Sequence, residues 1–249
     1  MHLSRRWPNL SGNGRESGLR PRLAVFGPVV NYPQTGSSWG NKREGFMNVA
    51  TFPSRVVPAP KRRLLTICIY CGAAVGRRKV FEEQTRAAVG VIVSAGHRII
   101  YGGAKNGLMG VMADEALKLG GTVIGVIPSI LVDKELLHKG LSEIHIVASM
   151  HERKKKMSEL AEVFLALPGG AGTLEEIFEQ WTWTQLGIHS KACGVLDIDG
   201  YFAPLRMMVD KMVDEGFLHE RHRASLIFSS TVEDVLRGLE NFHMPLAKY

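Results

Sequence analysis

The sequence predicts an α/β domain with a doubly wound, mostly parallel sheet and helices on both faces. Three observations carry this prediction. From Leu64 onward, short apolar runs of strand length alternate with longer segments of helical spacing. Strands alternating with helices, rather than blocks of strands, imply parallel pairing through crossover helices. Three of the turns that follow strands carry glycine, at Gly72, Gly102-Gly103 and Gly169-Gly170. Right-handed crossovers place all three along one rim of the sheet, where they can form one ligand pocket.

Leu64–Cys71 reads as the first strand, ended by the turn Cys71-Gly72-Ala73-Ala74. Lys79–Ala95 has helical periodicity and stops at Gly96; His97–Tyr101 is a strand, and a helix follows near Leu108–Leu119. Thr122–Ile127 is a strand stopped by Pro128, Ile144–Val147 another, and Ser149–Ala161 a helix. Val163–Leu167 reads as a buried strand that runs through glycines into a helix reaching about Leu186. The strand Ala192–Ile198 and helices over Pro204–Glu215 and Val232–Leu239 complete the pattern, with no internal repeat.

The 249 residues suit one such domain, 64–249, preceded by an extension. Residues 1–63 are rich in Gly, Pro, Ser, Asn and Arg, lack periodicity and read as a disordered basic extension. The net charge of +7 belongs to that extension, which has a balance of +9, whereas 64–249 has a balance of −2. Nucleic acid is therefore discounted as the main partner. The extension's Arg-rich, acid-poor composition fits a transit peptide, but Pro8, Pro21, Pro28 and Pro33 interrupt any amphipathic helix, and Met47 offers a later start. No compact apolar region suggests secretion, and no run approaches the roughly 18 apolar residues of a membrane span. Cys68, Cys71 and Cys193 give no disulfide framework and point to a reducing, cytoplasmic location. The C-x-x-C spacing of Cys68 and Cys71 falls in a strand, opens no helix and has no second pair, so neither a redox centre nor a zinc site is expected.

The run Pro168-Gly169-Gly170-Ala171-Gly172-Thr173-Leu174-Glu175-Glu176 holds the most chemistry. Glycines between a strand and a helix let backbone N–H groups approach an anion, and the helix dipole adds positive partial charge. The Tyr101-Gly102-Gly103-Ala104-Lys105-Asn106-Gly107 loop repeats that grammar. Neither fits the dinucleotide fingerprint or the P-loop, so a mononucleotide or sugar phosphate is the expected ligand. Glu176 stands within reach of whatever the glycines hold. Thr173-x-x-Glu176 is equally a capping box, a structural device worth about 1 kcal/mol. Glu175 points about 100° away around the helix and is peripheral. Arg153 falls in the first turn of the helix after Ser149, where a cation opposes the dipole and needs an anion, either phosphate or Glu176. The neighbouring Lys155 and Lys156 read as a solvated face, and His151 as a surface or cap residue. Phe178 and Trp181 belong to the core, with one face of that helix available for an interface or a base pocket.

These residues resemble the LOG family, the cytokinin riboside 5′-monophosphate phosphoribohydrolases, many of whose members carry an old label of lysine decarboxylase. Pro168–Glu176 matches the family's P-G-G-x-G-T-x-x-E motif without departure, and Ser149–Lys154 and Tyr101–Gly103 are also similar. The likeness covers roughly residues 64–240. It implies a Rossmann-like fold, a homodimer, and hydrolysis of a nucleoside 5′-monophosphate to free base and ribose 5-phosphate. It further implies Arg153 and Glu176 as the catalytic pair. Substrate and phosphate would be held by Gly72, Gly102, Gly103, Met150, Arg153, Lys154, Gly169, Gly170, Gly172 and Thr173. Neither a metal nor a cofactor is called for, and no segment presents a convincing Schiff-base lysine for a decarboxylase.

The chemistry agrees. Breaking an N-glycosidic bond builds positive charge on the ribose, which an ionised carboxylate stabilises. The dipole and Arg153 are both expected to lower the pKa of Glu176, favouring a carboxylate over a general acid. Arg153 cannot readily give up its proton and is expected to anchor substrate and position Glu176. Asp114 and Glu115 are the remaining candidates for protonating the base, and Met109 and Met150 for shaping its pocket. Two other functions fit the same motifs: a non-catalytic nucleotide or phosphate carrier, and a broader AMP nucleosidase.

Overall fold

Alternation along Thr66–Tyr70 (β1) sorts the core into two layers: Ile67 and Ile69 enter one apolar cluster, Cys68 and Tyr70 the other. A strand buried on both faces needs helices above and below, and the chain supplies them. The computed structural model describes residues 63–244 except 133 and 135. The extension expected over 1–63 thus lies outside the described residues, apart from Arg63.

After β1 come α1 (Lys79–Ser94), β2 (Arg98–Tyr101), α2 (Gly107–Lys118), β3 (Val123–Pro128), α3 (Ser129–Val132) and β4 (Glu143–Val147). Then follow α4 (Met150–Leu160), β5 (Val163–Ala166), α5 (Ala171–Gln185), β6 (Cys193–Leu196) and a 3-10 turn at Ile198–Gly200. The chain closes with α6 (Ala203–Asp214), α7 (Glu220–Ala224), β7 (Leu226–Ser229) and α8 (Val232–Glu240). The seven strands form one sheet in the order β4-β3-β2-β1-β5-β6-β7, every pair parallel. Residues of α1, α2 and α8 pack in the layer of Ile67 and Ile69, and residues of α4, α5 and α6 in the layer of Cys68 and Tyr70. This is the doubly wound, Rossmann-like arrangement predicted. Among the described residues no helix is long and apolar enough to cross a membrane.

Three elements were not anticipated: α3, α7 and β7. Each is only four or five residues long, and a short apolar run cannot be assigned to strand or helix by periodicity alone. Leu226-Ile227-Phe228-Ser229 nonetheless completes the sheet edge beside β6.

The chain builds outward from β1 through β2 and β3 to β4, then returns across the sheet to β5 on the other side of β1. The order reverses between β1 and β5, and a crevice opens at their carboxyl ends, where such sheets bind ligands. The loops there interlock. Gly72 N–H donates to the Pro168 carbonyl at 3.0 Å, and Met109 N–H to the Gly72 carbonyl at 3.4 Å. A Cβ at Gly72 would stand 3.3 Å from Gly169 Cα. Gly107 is tight as well, with φ +62° and no room for a Cβ against the Ala73–Ala74 peptide. Gly107→Ala is expected to lower stability by at least about 2 kcal/mol in urea denaturation, through left-handed strain plus backbone overlap. Gly120→Ala is the control: its φ is +76° but nothing lies within 4 Å, so only the left-handed term of about 1 kcal/mol remains. Equal losses would contradict the interlocked-loop account.

Candidate active site

The predicted motif helix, α5, starts with no side-chain cap. Its N-cap is Gly170, in extended conformation, and its first backbone bond runs from Leu174 N–H to the Gly170 carbonyl at 3.3 Å. The N–H groups of Ala171, Gly172 and Thr173 therefore have no intrahelical acceptor. The capping box that Thr173 and Glu176 could have formed is not made, because the helix begins earlier and both lie inside it. A box-like cap stands instead on α4: Ser149 Oγ accepts from Glu152 N–H at 3.1 Å, and Glu152 Oε2 accepts from the N–H of Ala148, one residue before the cap, at 2.9 Å. It fixes the turn that carries Arg153.

The motif glycines divide by cause. Gly169 is required for packing: a side chain there would overlap buried Thr173 and approach Gly72 N to 2.9 Å. At Gly170 and Gly172 a Cβ would meet nothing within 4 Å. No internal contact demands glycine at those two positions, which flank the open helix start.

Arg153 is buried, and its guanidinium reaches back across the sheet. Nε donates to the Val126 carbonyl at 3.1 Å and Nη2 to the Gly102 carbonyl at 3.0 Å. Gly102 is glycine for this reason, since a Cβ there would overlap the guanidinium. Gly103 has φ +73°, and its Cβ would press on Ile127 at 3.2 Å. Nη1 lies 3.9 Å from Met150 Sδ, and Met109 Sδ would stand 3.4 Å from a Cβ at Gly102. The two methionines expected to shape a base pocket thus both border the Arg153 guanidinium.

Arg153 and Glu176 do come together electrostatically, although the hydrogen bonds of Arg153 go to carbonyls. The expected direction of the Glu176 pKa is reversed. Burial pushes its carboxyl up to about 7, against the pull of Arg153; Glu175 and Glu179 also raise it, while Lys154 lowers it. Desolvation outweighs the cation, and two donors of Arg153 go to backbone carbonyls rather than to the carboxylate. Glu176 therefore sits near neutrality, able both to hold and to release a proton.

Lys154 bridges helices, with Nζ 2.5 Å from Glu175 Oε1 and 3.0 Å from Glu179 Oε1. Asp114 contacts His138 at 2.9 Å, and Glu115 is held by Arg86 at 3.0 Å. That hydrogen bond keeps the Glu115 carboxyl below its ordinary range, which makes it a poor proton donor. Trp181 is core, its indole N–H shared between the His222 carbonyl and Ser225 Oγ. Cys68 and Cys71 are free, buried in different layers and raised by desolvation; Cys193 is pushed up to about 12. None is a reactive thiolate.

One rim residue escaped the sequence reading. Tyr201 donates its hydroxyl hydrogen bond to the Gly169 carbonyl. With Phe81, Leu108, Pro168 and the first glycine loop it lines a cavity of about 410 Å³. The available signal was its place: an aromatic residue directly after Asp199-Gly200, in the turn beyond a strand's carboxyl end.

The raised Glu176 carboxyl has a stability consequence. Below about pH 4.3, the ordinary glutamate value, folded and unfolded chains both hold the proton. As pH rises toward 7 the unfolded chain loses it first, so stability falls, and above about 7 the penalty is complete. Glu176→Gln is expected to be more stable than the parent at pH 8 by about 1–3 kcal/mol, a figure discounted for the half-buried side chain. The advantage should vanish by about pH 4. Urea denaturation at both pH values checks this, and a destabilised variant at pH 8 would contradict it.

Comparison with known proteins places the chain in a family. A family model described as "Possible lysine decarboxylase" matches residues 109–239. The chain is 40% identical over 182 residues to the cytokinin riboside 5′-monophosphate phosphoribohydrolase LOG of Oryza sativa subsp. japonica, covering 73% of this chain and 75% of that one. It is 39% identical over 197 residues to the cytokinin riboside 5′-monophosphate phosphoribohydrolase of Rhodococcoides fascians, covering 78% and 100%. Among solved structures, the molybdenum cofactor carrier protein of Chlamydomonas reinhardtii superposes with a TM-score of 0.55 at 16% identity, over 72% of this chain and 97% of that one. That likeness concerns the fold alone. The identity to the phosphoribohydrolases runs over most of both chains, and the chain belongs to the LOG family.

Proposed function

We propose that the chain hydrolyses the N-glycosidic bond of an adenosine 5′-monophosphate, N6-substituted or plain, giving free base and ribose 5-phosphate. The observation that carries the reading is the pairing of buried Arg153 with a near-neutral Glu176, one helical turn inside an uncapped glycine-flanked helix start. A carrier of phosphate would need the helix start alone.

The roles follow from position. The N–H groups at the start of α5, with Gly169, Gly170, Gly172 and Thr173, hold the 5′-phosphate, favoured by the helix dipole. Gly72, Gly102 and Gly103 shape the adjoining rim. The base lies toward Met109 and Met150, whose thioethers adapt to a flat, polarisable ring. Ionised Glu176 stabilises the oxocarbenium-like ribose and receives a proton from the attacking water. The C1′–N bond breaks, the water oxygen joins C1′, and the net proton ends on the departing base. Arg153, fixed by two carbonyls, keeps Glu176 ionisable and anchors substrate; Lys154 supplies further positive charge and ties α4 to α5.

A homodimer belongs to the same reading. Ile130 on α3, Ile146 on edge strand β4 and Met150 at the start of α4 are exposed, and exposed apolar side chains of this kind suit self-association. The buried free thiols support a reducing compartment such as the cytoplasm.

The test is to incubate the protein separately with AMP and isopentenyladenosine monophosphate and quantify free base by chromatography. Base is expected from at least one, with kcat/KM rising through about pH 7 as Glu176 ionises. Glu176→Gln should lower turnover by at least about 100-fold while still binding nucleotide. Retained turnover would remove Glu176 from the mechanism, and bound nucleotide without any base would favour the carrier. The ratio of the two rates ranks the cytokinin precursor against plain AMP.

A further inference from the structure

Tyr201 reaches the phosphate loop from a part of the chain that the motif does not include. It follows β6 and the turn at Ile198–Gly200, yet its hydroxyl donates to the Gly169 carbonyl. The ring is held edge-on against Phe81, with centroids 5.6 Å apart at 79°, and against Phe202, 4.9 Å apart at 85°. Arg78 lies 4.7 Å above the Phe81 ring and pairs with Asp199. Asp199 has a left-handed φ of 53°, uncommon for a residue other than glycine. Asp197 Oδ1 accepts the Phe202 N–H at 2.6 Å. The turn is thus braced from both sides, and the Tyr201 hydroxyl is presented by a framework independent of α5.

What that hydroxyl does follows from peptide geometry. A peptide unit is planar and trans, so the carbonyl of one residue and the N–H of the next point in opposite directions. Holding the Gly169 carbonyl toward Tyr201 turns the Gly170 N–H away from it. This joint lies between two glycines, whose φ/ψ freedom is the widest of any residue. A Cβ at Gly170 would meet nothing within 4 Å, so packing on that side does not select one orientation. Rotated the other way, the same peptide would offer a carbonyl oxygen where a phosphate needs a donor.

We propose that Tyr201 is a positioning residue that locks the Gly169–Gly170 peptide, so that the Gly170 N–H joins those of Ala171, Gly172 and Thr173 in receiving the substrate's 5′-phosphate. The proposal rests on the phosphate-binding reading of the α5 start given above. Tyr201 touches neither the ribose nor the base; it acts through the backbone and selects for the phosphate-bearing end of the substrate.

Tyr201→Phe isolates the effect, because it keeps the ring contacts and removes only the hydroxyl. Calorimetric titration of parent and variant with inorganic phosphate, AMP and adenosine is compared with steady-state kinetics on whichever nucleotide the parent hydrolyses, and Tm confirms that the variant is folded. The Kd for inorganic phosphate and the KM for nucleotide are expected to rise in parallel by about 3–10-fold, the weight of one oriented hydrogen bond. Affinity for adenosine, which has no phosphate, should stay within about twofold of the parent, and the loss should fall on KM rather than kcat. Unchanged phosphate affinity, or equal losses for adenosine and AMP, would overturn the assignment. The two readings separate cleanly. If the parent binds phosphate but releases no base, the hydrolase reading falls and the phosphate comparison still decides Tyr201. If the parent releases base and the variant binds phosphate as the parent does, Tyr201 falls alone. A parent that binds neither phosphate nor AMP and releases no base overturns both.

Discussion

The anchoring of the Arg153 guanidinium on the carbonyls of Gly102 and Val126 is the interaction around which the site is organised. A buried cation needs partners for its donors, and here the Val126 carbonyl within β3 and the Gly102 carbonyl just after β2 accept from Nε and Nη2. The requirement reaches outward: residue 102 must be glycine, and the first turn of α4 must be held by Ser149 and Glu152. The chain must also travel to the sheet edge at β4 and return over the face, so that α4 lies against β3 and β2. Lys154, next in sequence, then ties α4 to α5 through Glu175 and Glu179.

With Arg153 so occupied, Glu176 feels its charge without being neutralised by a close ion pair. Burial raises the carboxyl and the guanidinium lowers it, and the balance falls at about 7. A fully paired glutamate would stay ionised and rigid; an isolated buried one would stay protonated. The intermediate arrangement makes the site destabilising above neutral pH, the usual relation between a functional group and the fold that carries it. The glycine loops serve the same end by different routes, with Gly72, Gly107 and Gly169 fixing backbone against backbone, while Gly170 and Gly172 leave the helix start open.

Much of this was legible in the sequence. The alternation of Leu64–Cys71, Lys79–Ala95 and His97–Tyr101 revealed the parallel architecture because each run was long enough to show a period. Leu226–Ser229 escaped because a short continuous apolar run cannot be told from a piece of helix by periodicity. The convergence of the three glycine loops was readable from crossover handedness, whereas the choice between cap and open helix start at Thr173 and Glu176 was not. That choice depends on a boundary two residues earlier, at Ala171. The pKa of Glu176 was read in the wrong direction, since neighbouring charges are visible in a sequence and desolvation is not. Tyr201 and the bridging of Lys154 were hidden for a related reason: both are contacts between elements far apart in the chain.

The central claim is that Glu176 is held near neutrality by burial working against Arg153. Its most direct test is a carbon-13 NMR titration of the glutamate carboxyls, with the Glu176 signal assigned by its loss in Glu176→Gln. The account predicts a midpoint near 7 in the parent and a higher one in Arg153→Met, where the opposing cation is gone. A midpoint at the ordinary glutamate value of about 4.3, or one that Arg153→Met leaves unmoved, would contradict it.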